Sequence, residues 1–418
     1  MKNLFRILIV TMISLMAFQS RATHYLGGEI TWECTSTNDY LFTVVIYKEC
    51  GTGAATYVDD ELHGPFGTKT MTQISMVEVS PTCLGGGSVA CNVSARGEGA
   101  VQRFTFQVTI PKNQMTGIPP ANGWDFYWQD QARPTNSLVN TNSGGYYLRA
   151  KMFPYTPPGS TTPNNANPCF DNSPTFSEVG SLAICAGSPF TYNHLVSDKD
   201  LDSLYVKFAD PMQTATAPIA WTANYSSTSP YPSNLTNAAN GPITLNGFTG
   251  AVSMDIQVAT DGSYASCYEV SAYKCGVDAN GNSKMIKVAS VYRDVVIVVK
   301  NGCVTNNEPN AFIDTSTYKN IKQLGPKTYK TSVYPGDTIN FRLSATDTDI
   351  NPSTFLPQQI EFKAAGLQAS DPMASGTGCD GVAPCAQFTP VAPQVGYVKA
   401  LNNNIEFFWV PDCQHLNV

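Results

Sequence analysis

The chain has 418 residues, of which 42% are hydrophobic and 14% are charged, and its formal net charge is −7. This length predicts roughly two to four domains, and the apolar fraction is sufficient for an ordinary core in each. The acidic balance disfavours nucleic acid and anionic lipid as partners. The 32 Gly and 28 Pro residues indicate many turns between short strands, which is typical of an all-β extracellular protein.

Residues 1–22 have the pattern of a secretory signal peptide. Lys2 and Arg6 precede an apolar run at residues 7–18, and Ala22 ends the segment with a small residue. The run is short for a bilayer span, although an N-terminal anchor is the alternative. Cleavage removes three basic residues and leaves 22 basic against 32 acidic ones, a net charge of −10. We therefore expect a secreted protein with no transmembrane segment in its mature chain.

The first predicted domain covers residues 23–163 and has the pattern of a β-sandwich. Its apolar and alternating runs are separated by Gly, Pro and Asn at intervals of about a dozen residues. These runs predict strands at residues 29–34, 40–47, 71–79, 101–110, 124–129 and 146–153.

The aromatic run at residues 124–128 has two interpretations. Alternation along a strand puts Trp124, Phe126 and Trp128 on one face and Tyr127 on the other. One face of aromatic side chains fills a sandwich core, and this is the interpretation we favour. The alternative is an exposed platform on which sugar rings stack.

Two further domains are predicted after a linker. Residues 154–168 are rich in Pro, Thr and Asn and predict an extended linker. The second domain, residues 169–303, ends in a strong strand at residues 291–299 and has a long insertion without periodicity at residues 209–240. The third domain, residues 306–418, has a late strand at residues 405–410 and looks cut short, so we expect the chain to be the N-terminal piece of a longer protein.

A doubled motif marks the starts of these two domains. The second domain has Asn172-Ser-Pro-Thr-Phe, a Gly turn, an alternating strand and then Asp198-Lys-Asp-Leu-Asp. The third has Asn307-Glu-Pro-Asn-Ala-Phe, a Gly turn, an alternating strand and then Asp347-Thr-Asp. A unit that recurs after so many residues is a domain rather than a short solenoid repeat. The motif therefore predicts β-sandwich domains arranged in tandem.

The Asp-x-Asp segments are the candidate metal sites. Calcium takes six to eight oxygen ligands, several of them anionic. An extended strand would direct Asp198, Asp200 and Asp202 to one side, and in a loop the three could converge on one ion. Asp171 begins a segment, Asp-Asn-Ser-Pro-Thr-Phe, that is similar to the linkers of cadherins. These four residues are our predicted calcium ligands, and the alternative is a polar turn in which Asp side chains cap the backbone. The third domain has a thinner acidic set, so we expect any ion site before the second domain.

Twelve cysteines in an exported chain predict up to about six disulfides. Nearness in sequence suggests five pairs, although sequence alone does not fix connectivity. The pairs are Cys83 with Cys91, Cys267 with Cys275, Cys379 with Cys385, Cys34 with Cys50, and Cys169 with Cys185, and Cys303 and Cys413 remain.

No catalytic signature stands out. The four His residues lack metal-binding spacing, the Cys residues include no Cys-x-x-Cys pair, and no phosphate loop or Gly-x-Ser-x-Gly elbow occurs. We therefore expect a protein that is not an enzyme.

The chain resembles a family of large surface proteins of Bacteroidota, which are described as gliding-motility-associated or adhesin-like. The resemblance rests on residues 22–34, Ala-Thr-His-Tyr-Leu-Gly-Gly-Glu-Ile-Thr-Trp-Glu-Cys, and on Phe-Thr-Val-Val-Ile-Tyr-Lys-Glu-Cys at residues 42–50. It extends to Asn-Ser-Pro-Thr-Phe and Ser-Asp-Lys-Asp-Leu-Asp-Ser-Leu in the second domain. The resemblance implies immunoglobulin- or cadherin-like repeats, export and display on the cell surface by type IX secretion. That route uses a C-terminal sorting domain, and truncation would explain why none is recognised in this sequence.

These patterns predict a secreted cell-surface adhesin or scaffold protein that is not catalytic. Its expected partners are surface polysaccharides, protein ligands and other cell-surface components. One alternative is a carbohydrate-binding accessory region of a larger secreted enzyme. A second alternative is a structural subunit of a surface filament or layer.

Overall fold

The computed structural model describes most of the first two predicted domains and parts of the third. The described residues are 25–49, 58–80, 91, 100–131, 133, 138–163, 169–180, 182–278, 281–301, 309–314, 318, 320–325, 328–347, 349, 360–363, 385–389, 397–400 and 403–411. The predicted signal peptide, residues 1–22, lies outside them. So do five of the cysteines, namely Cys50, Cys83, Cys303, Cys379 and Cys413.

The described chain is built almost entirely of strands, which confirms the predicted all-β class. Its helical structure is a single 3₁₀ turn at Lys112–Gln114, and no described helix has the length and apolar character to cross a membrane. The strands are β1 (Tyr25–Cys34), β2 (Tyr40–Glu49), β3 (Glu61–Gly64), β4 (Gly67–Thr70), β5 (Thr72–Glu78), β6 (Val101–Ile110), β7 (Trp124–Asp130), β8 (Tyr146–Met152), β9 (Thr175–Phe176), β10 (Leu182–Cys185), β11 (Ser188–Asn193), β12 (Val196–Ser197), β13 (Ser203–Ala209), β14 (Thr244–Leu245), β15 (Ala251–Ile256), β16 (Gly262–Val277), β17 (Ser283–Lys300), β18 (Asn310–Asp314), β19 (Lys322–Gly325), β20 (Thr328–Lys330), β21 (Ile339–Thr346), β22 (Ile360–Lys363), β23 (Gln387–Thr389), β24 (Tyr397–Ala400) and β25 (Asn403–Trp409).

The long strand β17 organises the fold. Twelve strands form one hydrogen-bonded sheet, whose main path is β4-β3-β7-β8-β17-β1-β2-β6-β5, with β10 and β16 also on β17 and β13 on β16. One edge of β17 pairs with β16 along almost its whole length. The other edge pairs in succession with β8 at Ala289–Val291, with β1 at Asp294 and Val295, and in parallel with β10 at Ile297–Lys300.

This arrangement joins the first two predicted domains. Strands β1 and β8 belong to residues 23–163, whereas β10, β16 and β17 belong to residues 169–303, and all five lie in the same sheet. One buried apolar cluster also runs through both segments. The boundary that we drew at the linker therefore does not separate two sheets, because β17 hydrogen-bonds to strands on both sides of it.

The predicted linker packs against the sheet at its beginning. Tyr155 is buried and its ring stacks on Phe170 at 5.8 Å between centroids. The Tyr155 hydroxyl donates a hydrogen bond to the carbonyl of Cys275 in β16 at 2.9 Å, and the Val277 amide donates to the carbonyl of Thr156. The start of this segment is therefore part of the folded unit.

The aromatic run of β7 lies in the core, as we favoured. Phe126 and Trp128 are fully buried, and the Phe126 ring lies 4.7 Å from Phe42 and 5.5 Å from Trp32. The Trp128 indole donates a hydrogen bond to the carbonyl of Asp59 at 2.8 Å. Because burial and neighbouring rings already cover these faces, Phe126 and Trp128 cannot serve as a platform for sugar rings.

The long insertion between β13 and β14 has only isolated bridges, as the sequence indicates, yet it is firmly packed. Tyr231 is fully buried, and its hydroxyl is hydrogen-bonded to the hydroxyls of Ser266 and Tyr268 in β16. The amide group of Asn140 donates to the carbonyls of Pro230 and Ala265. Polar side chains thus secure a segment that lacks strand pairing.

The strands of the third predicted domain pair with one another in the described part of the chain. They form a four-stranded sheet in the order β18-β21-β25-β23 and two pairs, β19 with β20 and β22 with β24. The predicted late strand at residues 405–410 corresponds to β25, whose partners are β21 and β23.

Candidate functional site

The two copies of the doubled motif have the same strand pairing. In the first copy, Thr175 follows the proline and pairs with Ser197, the residue before Asp198. In the second copy, Asn310 follows the proline and pairs with Thr346, the residue before Asp347. The repeated sequence therefore encodes the same antiparallel pair in the same register.

The first aspartate of each Asp-x-Asp segment forms the same turn. The Asp198 carboxylate accepts a hydrogen bond from the backbone amide of Asp200 at 2.9 Å, and Asp347 accepts one from the amide of Asp349 at 2.8 Å. Asp198 also accepts a bond from the amide of Asp202 at 3.3 Å. Such bonds from a side chain to the backbone two residues later are the defining contact of an Asx turn. Of the two geometries considered for Asp198, Asp200 and Asp202, an extended strand and a loop, the structure has the loop, because these residues form a turn.

The four predicted ligands nevertheless converge, and we call them the acidic cluster: Asp171, Asp198, Asp200 and Asp202. A lysine that the sequence analysis did not select lies among them. The ammonium nitrogen of Lys274, in β16, is 2.8 Å from Asp202 Oδ1, 3.1 Å from Asp171 Oδ1 and 3.6 Å from Asp200 Oδ2. The cluster therefore surrounds a cationic side chain.

Asp171 is held in the cluster by its neighbours on β1. The Trp32 indole donates to the Asp171 carbonyl at 3.1 Å, and the Trp32 amide donates to the Ser173 hydroxyl at 2.8 Å. Only 1% of Asp171 is exposed. The backbone around this carboxylate is thus fixed by a buried tryptophan of the first predicted domain.

Asn172 connects β1 to the Asp-x-Asp turn. Its side-chain oxygen accepts a hydrogen bond from the amide of Cys34 at 2.7 Å. Its backbone amide and side-chain amide donate to the two carboxylate oxygens of Asp200, at 2.6 and 2.7 Å. Asp200 is therefore held by two donors of one residue, and the turn is anchored to the first strand.

Burial and like charge perturb the titration of the cluster. Burial, followed by the charge of Asp202, raises the pKa of Asp198 to about 7. Burial also raises the pKa of Asp171 well above its ordinary value, despite the nearby ammonium, and raises that of Asp202. Burial alone would lower the pKa of Lys274, but the surrounding carboxylates outweigh it and raise that pKa. Three of the four carboxyl groups thus share the single ammonium of Lys274.

The observed arrangement does not fit a calcium ion at the centre of the cluster. Calcium ligands lie about 2.3–2.6 Å from the ion, and the oxygens of Asp171 and Asp202 that would bind it are in contact with Lys274. Among the described residues, no group of three or more His, Cys, Asp or Glu side chains has an arrangement that could hold a metal. The second carboxylate oxygens of Asp171, Asp198 and Asp202 are buried without a hydrogen-bond donor. Calcium binding by this chain stays a prediction.

The cysteine pairing differs from the one we suggested. Cys34 is bonded to Cys169, across 135 residues of sequence and with 5.3 Å between their Cα atoms. The suggested pairs of Cys34 with Cys50 and of Cys169 with Cys185 are therefore wrong. Cys267, which is buried, and Cys275, which is exposed, are free thiols, so their suggested pair is wrong as well. Cys91, Cys185 and Cys385 are disulfide-bonded, and the suggested partners Cys83 and Cys379 lie outside the described residues.

Two adjacent charged residues of β17 form buried ion pairs that the sequence analysis missed. The Arg293 guanidinium donates to both carboxylate oxygens of Glu29 in β1, at 2.7 and 3.1 Å, and to the carbonyl of Glu178 at 2.7 Å. Its cationic carbon lies 4.2 Å from the centre of the Phe176 ring. The only signal in the sequence was the presence of Arg293 and Asp294 within an otherwise apolar strand.

Asp294 forms the second buried pair. Its carboxylate accepts hydrogen bonds at 2.6 and 3.1 Å from the two terminal nitrogens of Arg133. The Nε of Arg133 donates to the carbonyl of Gly145. Arg133 also lies over the ring of Tyr146 at 3.7 Å. Successive residues of a strand point to opposite faces, so β17 carries one ion pair on each face.

Gly27 allows β17 to approach β1 closely, and Gly28 does the same for β2. Gly27 has φ of +127°, and a Cβ atom there would lie 1.9 Å from the carbonyl oxygen of Asp294. A Cβ atom at Gly28 would lie 2.2 Å from the carbonyl oxygen of Val45. The Gly-Gly-Glu sequence of β1 therefore combines close backbone approach with the carboxylate that neutralises Arg293.

No protein-family model, no curated protein and no solved structure matches this chain. The described residues form an all-β protein in which β17 pairs with strands from two sequence segments.

Proposed function

We propose that the protein is a secreted, non-catalytic adhesin or scaffold of the cell surface, built of β-sandwich units in tandem. The supporting observation is the way in which β17 unites the first two segments. It is hydrogen-bonded to β1, β8, β10 and β16 and carries a buried ion pair on each face. Such pairing holds the first two segments together, as a protein that presents surface loops to partners requires.

Further support comes from the covalent and repeated features of the chain. The disulfide between Cys34 and Cys169 links the first strand to the start of the doubled motif. Disulfides are typical of exported proteins and rare in the cytosol. The motif recurs with the same register before Asp347, which favours a tandem arrangement. The proposed partners are surface polysaccharides, protein ligands and other cell-surface components.

Location on intact native cells tests the proposal most directly. An epitope tag can be inserted after Gly159, an exposed turn residue with open space around it. We expect an antibody to bind the tagged protein on intact cells, external protease to remove the signal, and cells without the protein to attach less well to surfaces. A signal that is detected only after permeabilisation would contradict the proposal.

The two competing functions give different results in simple assays. A carbohydrate-binding accessory region would bind defined glycans on an array. A filament or layer subunit would form regular arrays in electron micrographs of the native surface. An adhesin or scaffold is expected to form no such arrays, and loss of attachment is its expected phenotype.

A further inference from the structure

Lys274 links the two sides of the junction between β1 and β13 through the acidic cluster. Its ammonium lies within 3.1 Å of carboxylate oxygens of both Asp171 and Asp202, and the lysine side chain is only 18% exposed. Asp171 is fixed to β1 through Trp32, whereas Asp202 precedes β13. One cation therefore connects three strands, β1, β13 and β16.

The cluster has the composition of a divalent cation site. Four carboxylates converge, and Asp171 and Asp198 are 1% and 2% exposed. The second oxygens of Asp171, Asp198 and Asp202 are buried without donors, which is costly for carboxylates unless a cation or proton is present. A hard cation with several carboxylate ligands would satisfy these oxygens. Lys274 lies in the position where such an ion would contact Asp171 and Asp202.

We infer that Lys274 is a tethered cation that takes the place of a divalent metal ion and makes this junction independent of calcium. A divalent ion that bound Asp171 and Asp202 would lie against the ammonium, and like charges at that distance repel strongly in a partly buried site. Removal of the ammonium should therefore turn the cluster into a calcium site.

Groups of the chain itself hold the carboxylates of the cluster in place. Asp200 accepts hydrogen bonds from the two donors of Asn172, and Asp198 caps the turn through its first oxygen. Lys274 then supplies the positive charge from β16, a strand that is paired with β17 from end to end. All the groups that make these contacts belong to the chain, so the junction needs no bound ion.

The test compares the full chain with the variant Lys274→Met, which keeps the length of the side chain and removes its charge. Thermal unfolding and calorimetric titration are measured with CaCl₂ and with a chelator. For the unchanged protein we expect the same Tm in both media and no calcium binding. For Lys274→Met we expect a lower Tm in chelator, recovery of that loss with calcium, and a Kd of about 1 mM or tighter, as in extracellular calcium modules.

Two further variants serve as controls. Lys274→Arg retains the positive charge and should show no calcium binding. Lys199→Met removes an exposed lysine, 3.4 Å from Glu33, and should leave both Tm and the response to calcium unchanged. If Lys274→Met fails to fold in chelator, refolding with CaCl₂ measures the same effect, because calcium is then expected to restore the folded state.

Three results would overturn the inference. Calcium binding by the unchanged protein, or a fall in its Tm on chelation, would show that a metal ion rather than Lys274 stabilises the cluster. An unaltered Tm of Lys274→Met in chelator would show that the ammonium has no such role. A loss of stability in Lys274→Met that calcium cannot restore would show that Lys274 forms ordinary ion pairs and does not replace a metal.

Discussion

The substitution Glu29→Gln tests whether the ion pairs of β17 hold the first two segments together. Arg293 is fully buried and Glu29 is 5% exposed, and the two form a two-pronged pair at 2.7 and 3.1 Å. Glutamine keeps the size of the side chain but removes its charge, so the Arg293 guanidinium is left without a counter-ion in the core. Removal of one partner from a buried pair costs about 3–5 kcal/mol of unfolding free energy.

The same strand supplies a matched control in Glu33→Gln. Glu33 contacts Lys199 at 3.4 Å, but about half of each side chain is exposed, with 47% and 53% accessible. Exposed pairs contribute about 0–1 kcal/mol. The two variants therefore make the same chemical change in β1 and differ in the burial of the ion pair.

Urea unfolding followed by tryptophan fluorescence measures the difference. Trp32 and Trp128 are buried in the shared core and should report its unfolding. In a thermal unfolding experiment, the loss of unfolding free energy in Glu29→Gln corresponds to a Tm lower by roughly 6–20 °C, since each kcal/mol shifts Tm by roughly 2–4 °C. Equal losses in the two variants would refute the reasoning. Replacement of both Glu29 and Arg293 by Met should cost much less than Glu29→Gln, because no unpaired charge remains.

Three other perturbations give distinct outcomes. Gly27→Ala should prevent stable folding because its Cβ would overlap the backbone of β17. The control, Gly67→Ala, lies in open space at a φ of +81° and should cost only about 1 kcal/mol of unfolding free energy in a chemical denaturation assay. Replacement of both Cys34 and Cys169 by Ala should lower stability by up to about 5 kcal/mol, because the bond closes a loop of 135 residues, and added reductant should have no further effect through this bond. Burial, followed by the charge of Arg293, keeps the pKa of His194 well below its ordinary value. The unfolded chain therefore binds the proton more tightly than the folded one, and the protein loses stability through this group as pH falls below about 6.5. His194→Phe should reduce that acid-induced loss of unfolding free energy, as measured by urea unfolding of both proteins across this pH range. The acidic cluster has the opposite pH dependence, but it is present in both proteins and cancels in the difference.

The strands of the first domain could be predicted from sequence because their signal is local. Alternation of apolar and polar residues located β1, β2, β6, β7 and β8 to within a few residues at their ends. The start of β17 at Ser283 was missed, since its first residues include Ser283 and Lys284 and the strong apolar signal comes only from its second half. Local pattern identifies a strand by the faces that it buries, and an exposed extension of that strand carries no such signal.

Pairing partners were not predictable, because they depend on contacts between residues far apart in sequence. The suggested cysteine pairs followed nearness along the chain, whereas β17 brings β1 and the segment after residue 169 into one sheet. Cys34, at the end of β1, then lies beside Cys169. The sharing of one sheet across the predicted linker was unpredictable for the same reason, since a proline-rich segment between two apolar regions is compatible with one shared sheet as well as with two separate ones.

The acidic cluster shows the same division between local and distant signals. The convergence of Asp198, Asp200 and Asp202 was predicted from their spacing, and Asp171 from its motif. Lys274 lies 72 residues after Asp202, in a strand that pairs with β13 and β17. No spacing rule could connect a single lysine to the cluster, so the sequence grouped the four aspartates but gave no sign that Lys274 contacts three of them.

The doubled motif separates architecture from chemistry. In both copies the first aspartate accepts the amide two residues later, and the residue after the proline pairs with the residue before that aspartate. These contacts use backbone groups and one carboxylate oxygen, so they require no ion and explain why the pattern recurs. The first copy also has Asp171 and Asp202 beside its turn, and Lys274 contacts both of them. A repeated Asp-x-Asp segment is therefore sufficient to predict a turn, and only the residues brought to it from other strands determine whether the turn also binds a cation.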